Sequence, residues 1–203
     1  MSSSNLTSGV FARSYSHDSI GKFQTILNGC TEHRPWYDDR LWNSGETTRR
    51  VVASQYLADA YTGGALWEVW SASSHVALVG VGLFNHVSYG RDAQCHFVFF
   101  DRRLADKVTL CKAAMADAFQ RFDLEALRLE VPTYAHALAL WARKKLGFRY
   151  EAERRTFSWP QDAIALDEKQ AMLGSRKHHA TMYEGVWHDA LMLSITSSEF
   201  HSQ

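Results

Sequence analysis

The chain has 203 residues, 46% of them apolar, which suits one domain with a sizeable core. Its 22 basic and 22 acidic side chains cancel, so no long-range field argues for nucleic acid or a membrane as partner. Three cysteines, Cys30, Cys95 and Cys111, are odd in number and lack metal-ligand spacing; buried free thiols in a reducing compartment are expected, and no metal.

In chain order, Met1 to Asn5 has no basic region followed by an apolar core, so a soluble, cytoplasmic protein without an export signal is expected. Phe11 to Tyr15 reads as an edge strand. Asp18 can cap a short helix carrying Ile20, Phe23 and Leu27, which Gly29 ends. The stretch from Thr31 to Arg40 mixes aromatic and charged residues around Pro35 and reads as a loop or broken helix. A helix fits Thr47 to Tyr61, stopped by Gly63 and Gly64. Leu66 to Trp70 alternates as a strand, and Val76 to Phe84 returns as its hairpin partner, too short to span a bilayer. Gly80 and Gly82 within that run predict a bulge or a close backbone approach. Asn85 to Asp92 is then a link.

The central stretch follows. Cys95 to Phe100 is a short apolar run rich in β-favouring residues, a strand buried on both faces. Leu104, Val108, Cys111, Met115, Ala118, Phe119 and Phe122 recur at helical spacing. Leu127, Leu129 and Val131 alternate with Arg128 and Glu130 as a second strand. A second helix fits His136 to Leu146, ended by Gly147 in a left-handed cap, and residues 148–154 read as a third strand. Strand, helix, strand, helix, strand argues for α/β architecture, a central sheet flanked by helices on both faces. The first two strands are expected to be parallel and splayed at their C-terminal ends. Trp159 to Glu184 reads as a solvated flap, with Ala163 to Leu173 helical and a basic cluster at Arg176 to His179. One domain, 1–203, is expected.

Leu127 to Val131, His136 through Lys144-Lys145-Leu146-Gly147-Phe148, Glu151 to Arg154, and Gly185 to Leu193 resemble the second half of GNAT-superfamily N-acetyltransferases, nearest the branch that modifies ribosomal proteins and related amines. The resemblance spans roughly residues 65–196. It implies a GNAT-like acyl-CoA N-acyltransferase fold that clasps acetyl-coenzyme A between two splayed strands and offers the acetyl group to an amine. Two motifs depart from the family. Its phosphate-binding turn carries an Arg/Gln-x-x-Gly-x-Gly/Ala pattern, and here Arg103 and Ala105 stand where glycines are expected. Its second helix carries Asn and, seven residues on, a proton-donating Tyr, where this chain has His136 and Arg143.

On that resemblance the cofactor is expected at Phe99, Phe100, Arg102, Arg103, Leu104, Ala105, Asp106, Lys107, His136 and Arg143. Arg102, Arg103 and Lys107 would face phosphate, or else are simply solvated. Glu32, Trp36, Tyr37 and Asp38 fall where the family builds one wall of the acceptor site; a surface loop anchored by Trp36 is the alternative. For catalysis, His96 is the base by residue type, its unperturbed pKa lying near neutrality, and it also reads as a buried histidine of the sheet. Glu130 is a second candidate base, or pairs with Arg128 or Arg149. Tyr134 stands just before the second helix, able to replace the missing proton donor. Two functions remain open. One is an acetyltransferase acting on an amine of a protein or small molecule; the other is a catalytically silent member of the fold used as a binding or structural module. A homo-oligomer or a larger assembly suits either.

Overall fold

Period-two alternation from Leu66 onward builds the antiparallel core on which everything else is laid. The structure, a computed structural model, describes residues 4–5, 10–14, 26–29, 31, 39–62, 66–71, 77–100, 104, 106–155 and 167–203. In chain order the elements are β1 (Ser4–Asn5), β2 (Val10–Ser14), α1 (Asp39–Asn43), α2 (Glu46–Thr62), β3 (Leu66–Ser71), β4 (Ala77–Ser88), β5 (Asp92–Phe99), α3 (Lys107–Phe122) and β6 (Ala126–Pro132). There follow α4 (His136–Trp141), continued by a π-helical turn (Ala142–Leu146), then β7 (Arg149–Tyr150), α5 (Glu151–Arg155), α6 (Glu168–Gly174), β8 (Arg176–Tyr183), β9 (Val186–Thr196) and α7 (Ser197–His201).

One mixed sheet holds the nine strands of the described residues, in the order β1-β2-β3-β4-β5-β6-β9-β7, with β8 hydrogen-bonded to β9. The β5–β6 pair is parallel, as α3 between them requires; the other pairs are antiparallel. This is the α/β fold that the order of elements predicts. On one face Trp67 donates from Nε1 to Asp117 Oδ2 of α3 at 2.8 Å, so that face carries Phe84, Cys95, Phe97 and Phe99 against the helix. The opposite face carries Leu83, Asn85, Gln94 and His96, and α2 covers the β3–β4 part of the sheet.

Gly80 and Gly82 mark the close approach expected of them. A Cβ at Gly80 would stand 2.8 Å from Phe99 Cδ1 and 2.8 Å from the Val98 carbonyl oxygen; at Gly82 it would lie 3.2 Å from the Phe97 ring. The glycines leave room for two large rings of β5 to lie across β4. Gly147 takes the left-handed conformation at φ 80, closing the second helix as its position predicts.

Four expectations need correction. Residues 148–154 are not one strand: β7 is two residues long, and Glu153 Oε2 accepts from the Tyr150 amide at 3.0 Å, which starts α5 instead. The stretch read as a solvated flap carries β8, a strand paired with β9 in the sheet; the helix expected within it is described as α6, whose N-terminus has a capping box of Asp167 and Gln170, and residues 156–166 lie outside the described part. β4 runs on to Ser88 through an irregularity between Asn85 and Ser88, leaving only a tight turn before β5. And β2 is not an edge, since β1 pairs outside it. Of the helix expected after Asp18, only residues 26–29 are described, and they are helical. Cys95 and Cys111 are buried free thiols; Cys30 lies outside the described residues.

Because the Val98 carbonyl is backbone and cannot swing aside, Gly80→Ala should cost about 1–3 kcal/mol by overpacking. Urea unfolding of the variant tests this, and an unchanged midpoint would show that β4 has room to yield.

Candidate active site

Three rungs join β5 to β6, namely Asp92–Ala126, Ala93–Leu127 and Gln94–Arg128, and none follows although both strands continue. At the apex Cys95 Sγ donates to the Arg128 carbonyl at 3.3 Å. Burial in this dry corner pushes the Cys95 thiol up to about 12, so it is protonated and available as a donor. Beyond it the strands part with their backbone edges toward each other. A split of this kind, at the C-terminal ends of parallel strands, is where α/β sheets take ligands.

His96 and Glu130 each stand two residues past the last rung, and alternation puts both side chains on the face opposite α3. The sequence candidates are therefore brought to the two lips of one cleft. His96 Nε2 lies 3.1 Å from Asn85 Oδ1; an amide oxygen only accepts, so the imidazole carries its proton on Nε2. Burial, with a smaller contribution from nearby His86, lowers its pKa to about 4. The near-neutral basicity that recommended His96 is thus absent from the folded protein. Glu130 is held by Lys177 of β8, whose Nζ lies 3.1 and 3.0 Å from its two oxygens. Its partner is neither Arg128, which turns to Asp92 at 2.9 Å, nor Arg149, which meets Glu199 at 3.3 Å.

Tyr134 occupies a 3₁₀ turn directly after β6. It stacks on Tyr183 of β8 with centroids 4.5 Å apart and meets His188 of β9 edge-on at 5.1 Å, while 43% of it stays exposed. The tip of the β8–β9 hairpin is tied to α1, where Asp39 Oδ2 accepts from the Gly185 amide at 2.7 Å and Arg40 lies over the Trp187 ring at 4.7 Å. Tyr183, His188 and Asp39 were not singled out from the sequence. Tyr183 lies on β8, whose first residues, Arg176 to His179, are polar and give no strand signal.

On the cofactor side, α3 begins at the C-terminal end of β5. Its N-cap, Asp106, sits in the left-handed region at φ 61 and gives no side-chain cap, so the first N–H groups of the helix are left to other partners. Among the described residues at this helix start, the left-handed conformation that a glycine would favour is taken by Asp106. Lys107 Nζ lies 5.8 Å from the Phe99 ring, Leu104 packs on the core, and Phe100 faces residue 29. His136 opens α4 with Nε2 buried and without a hydrogen-bond partner. Arg143 is engaged elsewhere: it meets Glu153 at 2.8 Å and Glu168 at 2.5 Å and lies over the Tyr150 ring at 4.3 Å. A phosphate would have to compete with two carboxylates for it. Arg102, Arg103, Ala105, Glu32, Trp36, Tyr37 and Asp38 lie outside the described residues.

The split, the uncapped helix start and the orphaned imidazole nitrogen together fit an extended, polar, anionic ligand such as coenzyme A. Among the described residues no helix is long and apolar enough to cross a membrane, and no three metal-ligating side chains gather.

The burial of His96 also sets a pH dependence. Its native pKa lies below the unfolded value of 6.5, so between those values the unfolded chain binds more protons. The contribution is fully present above about pH 6.5 and is lost as pH falls through 4, on the order of 3 kcal/mol in total. Urea midpoints at pH 7 and pH 4.5 should therefore differ more for the wild type than for His96→Gln; parallel losses would show that His96 is not the titrating group.

No family model matches the sequence, and no curated protein does. Solved structures do match in shape. A spermidine N-acetyltransferase from Vibrio cholerae in complex with CoA and spermine superposes with a TM-score of 0.63 over 96% of this chain and 99% of its own, at 15% identity. A dodecameric form of the Vibrio cholerae enzyme gives 0.63 at 14% identity, over 96% and 97% of the two chains. A GNAT-family acetyltransferase from Bacillus anthracis gives 0.57 at 13%, over 94% and 96%. The chain has the GNAT acetyltransferase fold.

Proposed function

We propose that this protein transfers an acetyl group from acetyl-coenzyme A to an amine of a small molecule or protein. The observation that carries the reading is the parting of β5 from β6 after Gln94 and Arg128, with two polar candidates on its lips and a helix start at its mouth. Acetyl-coenzyme A bound there would supply a thioester for an amine to attack. The backbone of β5 beyond Gln94 would align it, the first turn of α3 with Lys107 would meet its phosphates, and His136 Nε2 would give it a polar contact. Arg102 and Arg103 join that group on sequence grounds.

The proton traffic follows from the electrostatics. Moving a proton from an alkylammonium near pKa 10 to a histidine at about 4 is uphill by about six units, roughly 8 kcal/mol. His96 therefore serves as a neutral hydrogen-bonding wall, and because a carboxylate is by type no stronger a base, the amine's proton is given to bulk water. Arg143 cannot act as general acid, because a guanidinium does not give up its proton in proteins. Tyr134 is the phenol nearest in sequence to the end of β6, and we assign it the proton that the departing thiolate takes up. One observation favours the silent module: the guanidinium that stands in place of the family Tyr is fixed by Glu153 and Glu168 into the structure.

Calorimetric titration with coenzyme A should show saturable binding, and thiol release from acetyl-coenzyme A should exceed background with at least one primary amine. Tyr134→Phe should lower turnover by about tenfold or more with coenzyme A affinity unchanged. Turnover limited by the enzyme should show no inflection near pH 6.5 from His96. Saturable coenzyme A binding without thiol release across a panel of amines and peptides would establish the silent module instead, and absence of coenzyme A binding would sink both.

A further inference from the structure

Glu130 and Lys177 come from strands far apart in sequence and meet at the lip of the split. Glu130 is the inner partner, its side chain 22% exposed on the sheet; Lys177 is 55% exposed and reaches it from β8. Both carboxylate oxygens accept from the one ammonium. The neighbouring cation, Arg128, is occupied by Asp92, and His96 across the split is neutral, so the charge on Glu130 is answered by Lys177. Holding a long lysine chain in one geometry over an exposed pair gains little, at most about a fivefold shift in an equilibrium. The lysine is thus a weakly held alkylammonium on a fixed carboxylate.

An amine acceptor approaching this cleft in water is an alkylammonium too, and needs an anion to receive it. We propose that Glu130 is the anchor for the acceptor's ammonium and that Lys177 is its internal placeholder, displaced when an unbranched primary alkylammonium binds. This defines the acceptor class: a protonated primary amine on a straight aliphatic stem, free or as a lysine side chain. The inference rests on the acetyl-transfer reading for its purpose, but the binding it asserts does not require coenzyme A.

The test is a titration of the full chain with n-butylammonium chloride and, separately, with an Nα-blocked lysine amide, followed by the protein's amide chemical shifts. Lys177→Ala, or Lys177→Met should the alanine variant fold poorly, should bind at least one of them about three- to fivefold more tightly than the wild type. Adding Glu130→Gln to that variant should remove the three- to fivefold gain, since the carboxylate that receives the ammonium is gone. Which probe gains affinity identifies the source of the amine. If neither gains on loss of Lys177, or if the gain survives Glu130→Gln, the proposal is wrong. Coenzyme A titration of the same samples keeps the two ideas apart: an intact amine site without coenzyme A binding overturns the transfer reading alone, and the reverse overturns the anchor alone.

Discussion

The candidate site depends on two parallel strands that stop pairing while still within one sheet. Backbone N–H and C=O groups away from water need partners, and a strand that loses its neighbour must be supplied with others. The sheet makes the split possible by securing both strands elsewhere. β5 is paired with β4 from Gln94 to Phe99, and β6 with β9 along its whole length. Cys95 closes the apex by donating to Arg128, and the glycines of β4 let the Phe97 and Phe99 rings lie flat so that β5 keeps its line. What remains is a slot with one anionic and one neutral polar lip.

The strands and helices were legible because their signals are local. Leu127-Arg128-Leu129-Glu130-Val131 can only alternate, and the apolar series from Leu104 to Phe122 can only wind. Parallel pairing of β5 and β6 followed from the helix between them. The third strand failed because Glu151-Ala152-Glu153 also alternates; a carboxylate capping the Tyr150 amide decided for a helical turn. β8 was hidden for the opposite reason. Arg176 to Ala180 carries no apolar alternation, its register shifts between Lys177 and Thr181, and only its ladder to β9 defines it.

The site was legible in outline and not in its electrostatics. Residue type marked His96, Glu130 and Tyr134, and the fold gathers the first two on one cleft. Their partners lie 11 and 47 positions away for His96 and Glu130, beyond any local pattern. Burial of the His96 ring, which turns a neutral-pH base into a weak one, is a property of the whole sheet. Arg143 shows the same limit: its partners belong to α5 and α6, and no spacing rule announces them.

Asp106 shows why a missing glycine need not mean a missing site. A non-glycine residue in the left-handed region costs of order 1 kcal/mol, and Asp tolerates it better than most. A left-handed residue at the start of α3 is therefore held at modest cost. The side chain is the larger change. A carboxylate at a helix start is favourable by a few tenths of a kcal/mol when nothing else is bound, but it repels a phosphate that comes to the same N–H groups. Lys107, next in sequence, offsets part of that charge. Such an arrangement keeps a left-handed helix start while weakening its attraction for anions, so an anion bound here would lean more on the split and the orphaned His136 nitrogen.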